Sequence, residues 1–239
     1  MQKPKNKVLI LGDGLLGSEI SNQTNWDCIS RKKDGFDIND KSTYHIMTSL
    51  EYGAIQYCKY DIIINCIAAT DTYNENKNDH WNTNYKGAAD LVDFCNRWNL
   101  KLVHISTDYI YSNSISNASE ETVPVHCNNW YGYTKLLGDG YVQLKSNDYL
   151  IIRCTHKPNP FPYEAAWIDQ VGNFDYVDKI AHMIINLVDK EASGIYNVGT
   201  DLKSMYELAS KTSNVYASIK PSHVPGNTSM NTTKLKSIL

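Results

Sequence analysis

Hydrophobic and polar positions along the chain alternate between short apolar runs and longer amphipathic stretches. The run Asp61 to Ile67, "DIIINCI", is typical of a parallel-sheet strand, because such a strand is covered on both faces. The stretch His80 to Trp98 has apolar residues at helical spacing and predicts a long helix. Further strands are predicted at Val8 to Leu11, Asp27 to Ser30, Leu100 to Ile105 and Tyr149 to Cys154, and further helices at Leu15 to Gln23, Lys41 to Cys58 and Tyr131 to Leu144.

Strand and helix alternate with short connections, which predicts an α/β fold with a doubly wound parallel sheet. The pattern weakens after Cys154, where "THKPNPFP" indicates a proline-rich loop. A helix is predicted at Tyr176 to Val188, a strand at "GIYNVG" and a helix near Ser204 to Lys211, and the tail is expected to be mostly loop. We therefore divide the chain into residues 1–154 and a smaller part, residues 155–239, interleaved with the last elements of the sheet.

The composition narrows the functional classes to which this protein could belong. The 239 residues suffice for one large domain, and the net charge of -3 gives no basic surplus for binding nucleic acid. No apolar run approaches the roughly 18 residues of a membrane helix, and no signal peptide is predicted, so we expect a cytoplasmic protein without a membrane partner. Six cysteines are scattered without a CxxC pair and are expected to be reduced thiols, at positions 28, 58, 66, 95, 127 and 154.

A glycine motif lies between the first predicted strand and helix. The sequence "VLILGDGLLGSEI" places Gly12, Gly14 and Gly17 in the spacing Gly-x-Gly-x-x-Gly. The first glycine allows a tight turn, the second lets a pyrophosphate approach the backbone, and the third lets helix and strand pack closely. Leu15 and Leu16 open the helix, whose free N–H groups would face the phosphates. The motif in this context predicts a dinucleotide cofactor.

The end of the second predicted strand bears on which cofactor is bound. Binders of NAD(H) usually place an acidic residue there for the ribose 2'-hydroxyl, but this chain has Ser30 and Arg31 in "CISRKKDG". The planar guanidinium of an arginine suits a 2'-phosphate. We therefore favour NADP(H), with NAD(H) possible, and the alternative that this is only a solvated basic turn stays open.

Three further side chains are predicted to carry chemistry. Thr107 lies at the carboxyl edge of the sheet, where α/β proteins bind ligands, and Tyr131 and Lys135 share one face of the following helix. A nearby ammonium lowers the pKa of a tyrosine and makes it a proton donor or acceptor. Taken alone, a tyrosine and a lysine four residues apart are more often an ordinary helix face.

Other candidates are weaker. His104 lies inside a strand and is expected to be a core residue, and a plain surface loop is more expected for His156 and Lys157 than contact with a substrate diphosphate. Tyr109, Tyr111 and Tyr133 are expected to pack or to line a pocket. No cluster of His, Cys and carboxylate residues has metal-ligand spacing, so no catalytic metal site built by the protein is predicted.

Several segments together resemble a known family. They are "STDYIY" (106–111), "NWYGYTKLLGD" (129–139), "NCIAAT" (65–70), "GNFDYVDKIA" (172–181), "GIYNVG" (194–199) and "NTTKLK" (231–236). They resemble the extended branch of the short-chain dehydrogenase/reductase superfamily, and within it the nucleotide-sugar 4-ketoreductases of the dTDP-4-dehydrorhamnose reductase type.

The resemblance implies roles for particular residues. Tyr131 would donate a proton to the sugar C4 oxygen, Lys135 would bind the nicotinamide ribose and tune Tyr131, and Thr107 would complete the triad. Asn84 would help to hold a water near the lysine. The cofactor would also contact a wall beside its ribose, Ala68 and Ala69, and a pair at its adenine, Asp37 and Ile38.

The implied reaction is the reduction of a 4-keto-6-deoxy nucleotide sugar in deoxysugar biosynthesis, with NADPH as the reductant. The stretch between Cys154 and "GNFDYVDKIA" is shorter than the family's, so the substrate-binding part is expected to be reduced, and a second subunit of a homodimer could complete it. Two alternatives stay open. The chain could be an epimerase or dehydratase of the same superfamily, although Tyr109 after Asp108 disfavours a dehydratase, or a non-catalytic nucleotide-binding regulatory subunit.

Overall fold

A computed structural model describes residues 6–51, 55–112, 116–122 and 129–239. Cys127, one of the six cysteines, lies outside the described residues. The strands are β1 (Val8–Leu11), β2 (Asp27–Ile29), β3 (Ser49–Glu51), β4 (Ile55–Tyr57), β5 (Ile62–Asn65), β6 (Lys101–Ser106), β7 (Tyr149–Arg153), β8 (His156–Lys157), β9 (Ala165–Trp167), β10 (Val171–Gly172), β11 (Asp175–Tyr176), β12 (Gly194–Asn197), β13 (Lys203–Ser204), β14 (Tyr216–Ser218) and β15 (Asn227–Thr228). The α-helices are α1 (Leu15–Thr24), α2 (Arg31–Asp34), α3 (Lys77–His80), α4 (Ala88–Trp98), α5 (Trp130–Lys145), α6 (Val177–Asp189), α7 (Met205–Ala209) and α8 (Thr233–Ile238).

The central sheet has six strands in the order β12–β7–β6–β5–β1–β2, and every neighbouring pair is parallel. The predicted doubly wound fold is confirmed. The strand order reverses between β1 and β5, and this reversal opens a crevice at the carboxyl ends of the strands. The glycine motif follows β1 and Thr107 follows β6, so both lie at that edge.

Alternate residues of β1 serve two different hydrophobic cores, because successive side chains of a strand point to opposite faces. Ile10 packs in a core that includes α6, and Leu9 packs in a core that includes α4. All four residues of β1 are buried, as are all four of β5. The sheet is therefore covered on both sides, and only its edges and strand ends face solvent.

The helix predicted over Lys41 to Cys58 is wrong. A 3₁₀ helix covers Lys41–Met47 and is followed by an antiparallel hairpin of β3 and β4, with Ser49 opposite Tyr57. The backbone becomes extended at Thr48, and the Cys58 thiol donates a hydrogen bond to the carbonyl of Met47, which folds β4 back onto the helix end. The tail also holds more structure than expected, since it contains β15 and α8.

Residues after Cys154 contribute both to the central sheet and to three small sheets. Strand β12 and helix α6 complete the central layers. The small sheets pair β8 with β11, β9 with β14, and β10 with both β13 and β15. They rest on a separate hydrophobic cluster that includes Phe161, Phe174, Tyr176 and Leu208.

None of the helices in the described ranges combines the length and the apolar character needed to cross a membrane.

Candidate active site at the carboxyl edge of the sheet

A cavity of about 810 Å³ lies at the carboxyl edge of the sheet, between the central strands and the small sheets. One wall comes from the start of α1 and from the residues after β5, including Gly14 and Ala68. The floor holds Thr107, Tyr131 and Lys135. The opposite wall comes from the segment after β7 and from helix α7.

The three glycines of the motif each meet a different local requirement. Gly12 has a φ of +96°, a region that favours glycine, and a Cβ on Gly17 would lie 2.0 Å from the Gly12 carbonyl oxygen. Gly14 has nothing within 4 Å of its Cβ position, and no side chain caps the N-terminus of α1 there. The close packing and the open approach predicted for a pyrophosphate are therefore both present.

The end of β2 holds the residues predicted to contact the adenosine ribose. Ser30 is buried and caps α2 by accepting a hydrogen bond from the Lys33 amide. The Arg31 guanidinium lies 3.2 Å from an Asp37 carboxylate oxygen, but its side chain is 80% exposed. A hydrogen bond from Ser30 lowers the pKa of Asp13, which places the carboxylate of Asp13 beside the end of β2. The positive charge of Arg31 and the negative charge of Asp13 therefore both lie near the predicted position of the ribose.

The loop after β5 is fixed by Asn84. The side-chain oxygen of Asn84 accepts a hydrogen bond from the Ala69 amide at 2.8 Å, and its nitrogen donates to the Ala69 carbonyl at 3.0 Å and to Thr134 Oγ1 at 3.1 Å. Asn84 lies in a π-helical segment, Trp81–Gly87, and is 1% exposed. These contacts use the side-chain amide of Asn84 to hold the Ala68–Ala69 wall of the cavity.

Thr107 and Tyr131 meet at the floor of the cavity. Tyr131 lies in the first turn of α5, where Asn129 caps the helix by accepting a hydrogen bond from the Gly132 amide at 2.8 Å. Burial raises the pKa of Tyr131, and the nearby Thr107 side chain partly opposes that shift by hydrogen bonding. The ring of Tyr131 also packs edge-on against Tyr109, with centroids 5.8 Å apart.

The sequence predicts that the Lys135 ammonium lowers the pKa of Tyr131, but in the structure the pKa is raised. Burial raises the pKa of Tyr131 and outweighs the hydrogen bond from Thr107. The Lys135 ammonium is directed elsewhere, since its Nζ donates to the Ile105 carbonyl at 2.6 Å. The phenol therefore stays protonated at neutral pH, which suits a proton donor better than a base.

Lys135 is itself buried, with 1% of its surface exposed. Burial lowers the pKa of Lys135 to about 8, and the negative charge of Asp139 opposes that shift. Behind the lysine, His104 Nε2 lies 3.4 Å from Nζ and 3.8 Å from Asp139 Oδ1. Asp139 Oδ2 accepts a hydrogen bond from Arg153 Nε at 3.2 Å, so a buried polar chain continues beneath the floor.

Asp108 follows Thr107 and lies behind the cavity lining rather than in it. It is 0% exposed, and its two carboxylate oxygens accept hydrogen bonds from Thr155 at 2.5 Å and from Thr228 at 2.7 Å. Burial raises the pKa of Asp108. Asp108 therefore ties β6 to the segment after β7 and to β15.

The wall opposite the glycine motif combines aromatic side chains with a cation. Phe161, Tyr163 and Trp167 line it together with His156 and Lys157 on β8. Burial lowers the pKa of His156 to about 4, so its ring is neutral, whereas the Asp108 carboxylate partly offsets the lowering of the pKa of Lys157 by burial. Among the residues that the structure describes, Lys157 Nζ has no partner in a hydrogen bond or ion pair.

A family model, the RmlD substrate binding domain, matches residues 6–156. This chain belongs to the RmlD substrate binding domain family. The match ends at β8, so it spans the glycine motif, Thr107, Tyr131 and Lys135.

Curated and solved relatives of this RmlD family chain cover most of its length. The spore coat polysaccharide biosynthesis protein SpsK of Bacillus subtilis (strain 168) is 28% identical over 226 residues, which are 85% of this chain and 77% of that protein. The dTDP-4-dehydrorhamnose reductase of Bacillus anthracis str. Ames, solved in complex with NADP, is 24% identical, with a TM-score of 0.78 over 99% of this chain and 93% of its own. A hypothetical dTDP-4-dehydrorhamnose reductase from Sulfolobus tokodaii is 23% identical, with a TM-score of 0.77 over 98% and 94%. These structures establish the shared fold.

The predicted residues of the RmlD family chain fall into two groups. Those lining the cavity are Gly14, Leu15, Leu16, Ala68, Thr107, Tyr131 and Lys135. Those lying behind its walls or beyond the enclosed space are Gly12, Gly17, Ser30, Arg31, Asp37, Ile38, Ala69 and Asn84. Ile38 is 2% exposed and packs in the core beside Gly87.

Sequence reasoning missed the chain of His104, Asp139 and Arg153. One signal was available, because Asp139 follows Lys135 at the same four-residue spacing that joins Lys135 to Tyr131. No group of three or more metal-ligating residues occurs in the parts of the chain that the structure describes.

Proposed function

We propose that this chain is an NADPH-dependent reductase of a 4-keto-6-deoxy nucleotide sugar. The observation that carries the proposal is the protonated Tyr131 hydroxyl beside Thr107, on the floor of a cavity whose wall holds the glycine motif. Membership of the RmlD substrate binding domain family supports it. The NADP complex of the similar Bacillus anthracis reductase supports the choice of cofactor class.

The glycine motif fits a nicotinamide dinucleotide. Gly14 leaves the approach to the start of α1 open. Ala68 forms the neighbouring wall, and the two hydrogen bonds between the Asn84 side chain and the Ala69 backbone hold it in place. When bound, the cofactor would supply the hydride for the C4 carbonyl. The chain would orient the two reactants and exclude water from the cavity.

Proton supply is the part of the reaction that the side chains perform. As hydride reaches C4, negative charge develops on the C4 oxygen, and the Tyr131 hydroxyl would donate its proton there. Thr107 would hold the same oxygen by hydrogen bonding. Lys135, charged below its pKa of about 8, would contact the cofactor ribose and favour transfer from the phenol. The balanced reaction converts ketone, NADPH and a proton to alcohol and NADP⁺.

The wall opposite the glycine motif, which we call the substrate wall, has side chains that could bind a nucleotide sugar. Lys157, which has no hydrogen-bond or ion-pair partner among the described residues, would offer a cation to the diphosphate, and Tyr163 and Trp167 would offer aromatic faces for a base or sugar. Ser106 Oγ and His156 Nδ1 are buried polar atoms of the lining without a hydrogen-bond partner in the described parts of the chain. Such atoms favour a ligand with many hydroxyl groups, because an unpaired buried polar atom is costly.

The cofactor preference rests on two opposing charges. Arg31 favours a 2'-phosphate. Because its side chain is exposed, its ion pair with Asp37 can be exchanged for an ion pair with the phosphate. The alternative, NAD(H), is favoured by Asp13, because a carboxylate beside Ser30 could accept a hydrogen bond from a free 2'-hydroxyl. We favour NADPH because the pairing of Lys33 with Asp13, at 3.6 Å, partly neutralises that carboxylate.

Two other readings are less well supported. A dehydratase would need an acid beside Thr107, but Asp108 is buried behind the cavity lining and both of its carboxylate oxygens accept hydrogen bonds from threonines. A regulatory nucleotide-binding subunit would not need Thr107 and Tyr131 in contact on the cavity floor. An epimerase that retains its cofactor remains distinguishable by experiment.

The test is a panel of 4-keto-6-deoxy nucleotide sugars, followed by the decrease in NADPH absorbance. We expect one or more to be reduced with one equivalent of NADPH consumed per alcohol formed. Turnover of none of them, or conversion without net NADPH oxidation, would contradict the reductase assignment. A purified protein that carries tightly bound dinucleotide and epimerises its substrate would favour the epimerase.

A further inference from the structure

The polar chain behind Lys135 has no part in the mechanism described above. It starts at Asn65, at the end of β5, and continues through His104 on β6 to Asp139 on α5 and Arg153 on β7. All four of these residues are at most 2% exposed. Buried polar chains are costly unless their members satisfy one another, so the position of each hydrogen matters.

Asn65 fixes the tautomer of His104. The Ile67 amide donates a hydrogen bond to Asn65 Oδ1 at 3.1 Å, which leaves the Asn65 NH₂ group facing His104 Nδ1 at 3.4 Å. An NH₂ group can only donate, so Nδ1 must accept. Burial also lowers the pKa of His104, which keeps the ring neutral. The single ring hydrogen is therefore on Nε2.

The protonated Nε2 of His104 faces two atoms. Lys135 Nζ is 3.4 Å away and Asp139 Oδ1 is 3.8 Å away. An N–H group can donate to the lone pair of a neutral amine, but it cannot accept a hydrogen bond from an ammonium. Asp139 Oδ1 has no hydrogen-bond partner among the described residues, and its carboxylate attracts the ammonium.

We propose that His104 and Asp139 are positioning residues that bias the charge of Lys135 in opposite directions. The imidazole stabilises the neutral amine by donating to it, and the carboxylate stabilises the ammonium by its charge. The relative strength of the His104 and Asp139 interactions sets the pH range in which Lys135 is a cation. For its catalytic consequence, this inference rests on the proposed function.

The other groups around Lys135 add little charge near neutral pH. Cys66, after β5, and Cys154, after β7, stay protonated because burial raises the pKa of both thiols. Tyr131, one turn earlier on α5, stays a neutral phenol because burial raises its pKa. Arg153 lies beyond Asp139 and is paired with it, so Asp139 provides the nearest opposite charge.

The experiment measures the ionisation of Lys135 directly. Reductive methylation with formaldehyde and cyanoborohydride modifies the neutral amine, and mass spectrometry of the Lys135 peptide gives the rate at each pH. In the wild-type protein the rate should rise through a midpoint near 8. His104→Gln should raise the midpoint by about one unit, because an amide oxygen can accept from the ammonium. Asp139→Asn should lower it by about one unit, because the opposite charge is lost.

Controls separate this effect from a loss of structure. Lys145 lies exposed on the same helix, and its labelling profile should not change in either variant. Circular dichroism and thermal unfolding report whether each variant is folded. If Asp139→Asn is unfolded because Arg153 loses its partner, His104→Gln still decides, and it should raise the midpoint.

Midpoints that move in the same direction in His104→Gln and Asp139→Asn would overturn the proposal. An unchanged midpoint in folded His104→Gln would also overturn it. Labelling needs no substrate, so the result stands even if no sugar nucleotide is reduced and the proposed function fails. If the enzyme is active, the loss of kcat/KM at high pH should move with the labelling midpoint in each variant.

Discussion

The two walls of the cavity are built in different ways. The wall that includes Gly14 and Ala68, which we call the cofactor wall because we propose that it binds NADPH, comes from strand–helix units whose strands β1 and β5 are neighbours in the central sheet. The substrate wall comes from the short strands β8 and β9, which pair with the more distant strands β11 and β14. Local sequence therefore positions the first wall, whereas distant segments must meet to form the second.

The walls also differ in how their polar groups are satisfied. On the cofactor side, the buried side-chain amide of Asn84 makes three hydrogen bonds, which satisfy both its oxygen and its nitrogen. On the substrate side, Lys157 and the Nδ1 atom of His156 have no partner among the residues described. If the two walls bind as we propose, the protein preorganises the cofactor wall and leaves polar groups of the substrate wall for the ligand.

The largest expected effect is at the floor between the walls. Tyr131→Phe should lower kcat by about 100- to 10,000-fold, because the proton donor is lost while the ring remains. Binding of NADPH, measured by fluorescence titration, should change little. The matched control is Tyr133→Phe on the same helix, outside the cavity lining, which should keep turnover near the wild-type value. Wild-type kcat in Tyr131→Phe would refute the role of the phenol.

The next effect tests the packing of the cofactor wall. Gly17→Ala should lower the free energy of unfolding by about 1–3 kcal/mol, because its Cβ would collide with the Gly12 carbonyl oxygen. Gly140→Ala is the control, since nothing lies within 4 Å of its Cβ position on α5, and it should be neutral or stabilise by up to ~1 kcal/mol. Urea unfolding measures both, and equal stabilities for the two variants would contradict the close approach.

A smaller effect is expected on the substrate wall. Lys157→Met should raise the KM for the nucleotide sugar by about tenfold with kcat nearly unchanged, because a charge-assisted hydrogen bond to the diphosphate is lost. The KM for NADPH should not change. Lys145→Met removes an exposed lysine away from the cavity and should leave both constants unaltered. An unaltered KM for the sugar nucleotide in Lys157→Met would show that this cation does not face the substrate.

The smallest effect concerns the edge of the cofactor wall. Arg31→Ala should lower the preference for NADPH over NADH only several-fold, since contacts of exposed charged groups contribute about 1 kcal/mol or less. Asp13→Asn should move the preference the opposite way, towards NADPH. The ratio of kcat/KM for the two cofactors measures both changes. If this ratio is the same in Arg31→Ala as in the wild-type protein, Arg31 does not contact the 2'-phosphate.

The cofactor wall could be predicted largely from sequence because its signals are local. The glycine spacing requires the turn, the open approach and the close packing that the structure contains at Gly12, Gly14 and Gly17. The positions of Thr107 and Tyr131 follow from the ends of one strand and one helix. In each case a few consecutive residues decide the geometry.

Features that depend on tertiary packing could not be predicted. The hairpin of β3 and β4 replaces a predicted helix, because the backbone becomes extended at Thr48 after a short 3₁₀ helix. The raised pKa of Tyr131 depends on burial by surrounding elements, and the sequence shows only that Lys135 follows on the same helix face. The link from His104 to Asp139 joins a strand to a helix 35 residues later, and the four-residue spacing of Lys135 and Asp139 marks the helix face but not the histidine.

The most direct test of the account is the fate of the transferred hydrogen. NADPH carrying deuterium at both positions of the nicotinamide C4 would be incubated with the wild-type protein and a 4-keto-6-deoxy nucleotide sugar, and the product examined by NMR. We predict deuterium at the sugar C4 in one equivalent per NADP⁺ formed, and in Tyr131→Phe at most about a hundredth of that amount over the same time. A product without deuterium at C4, or cofactor recovered unoxidised beside an epimerised sugar, would contradict the account.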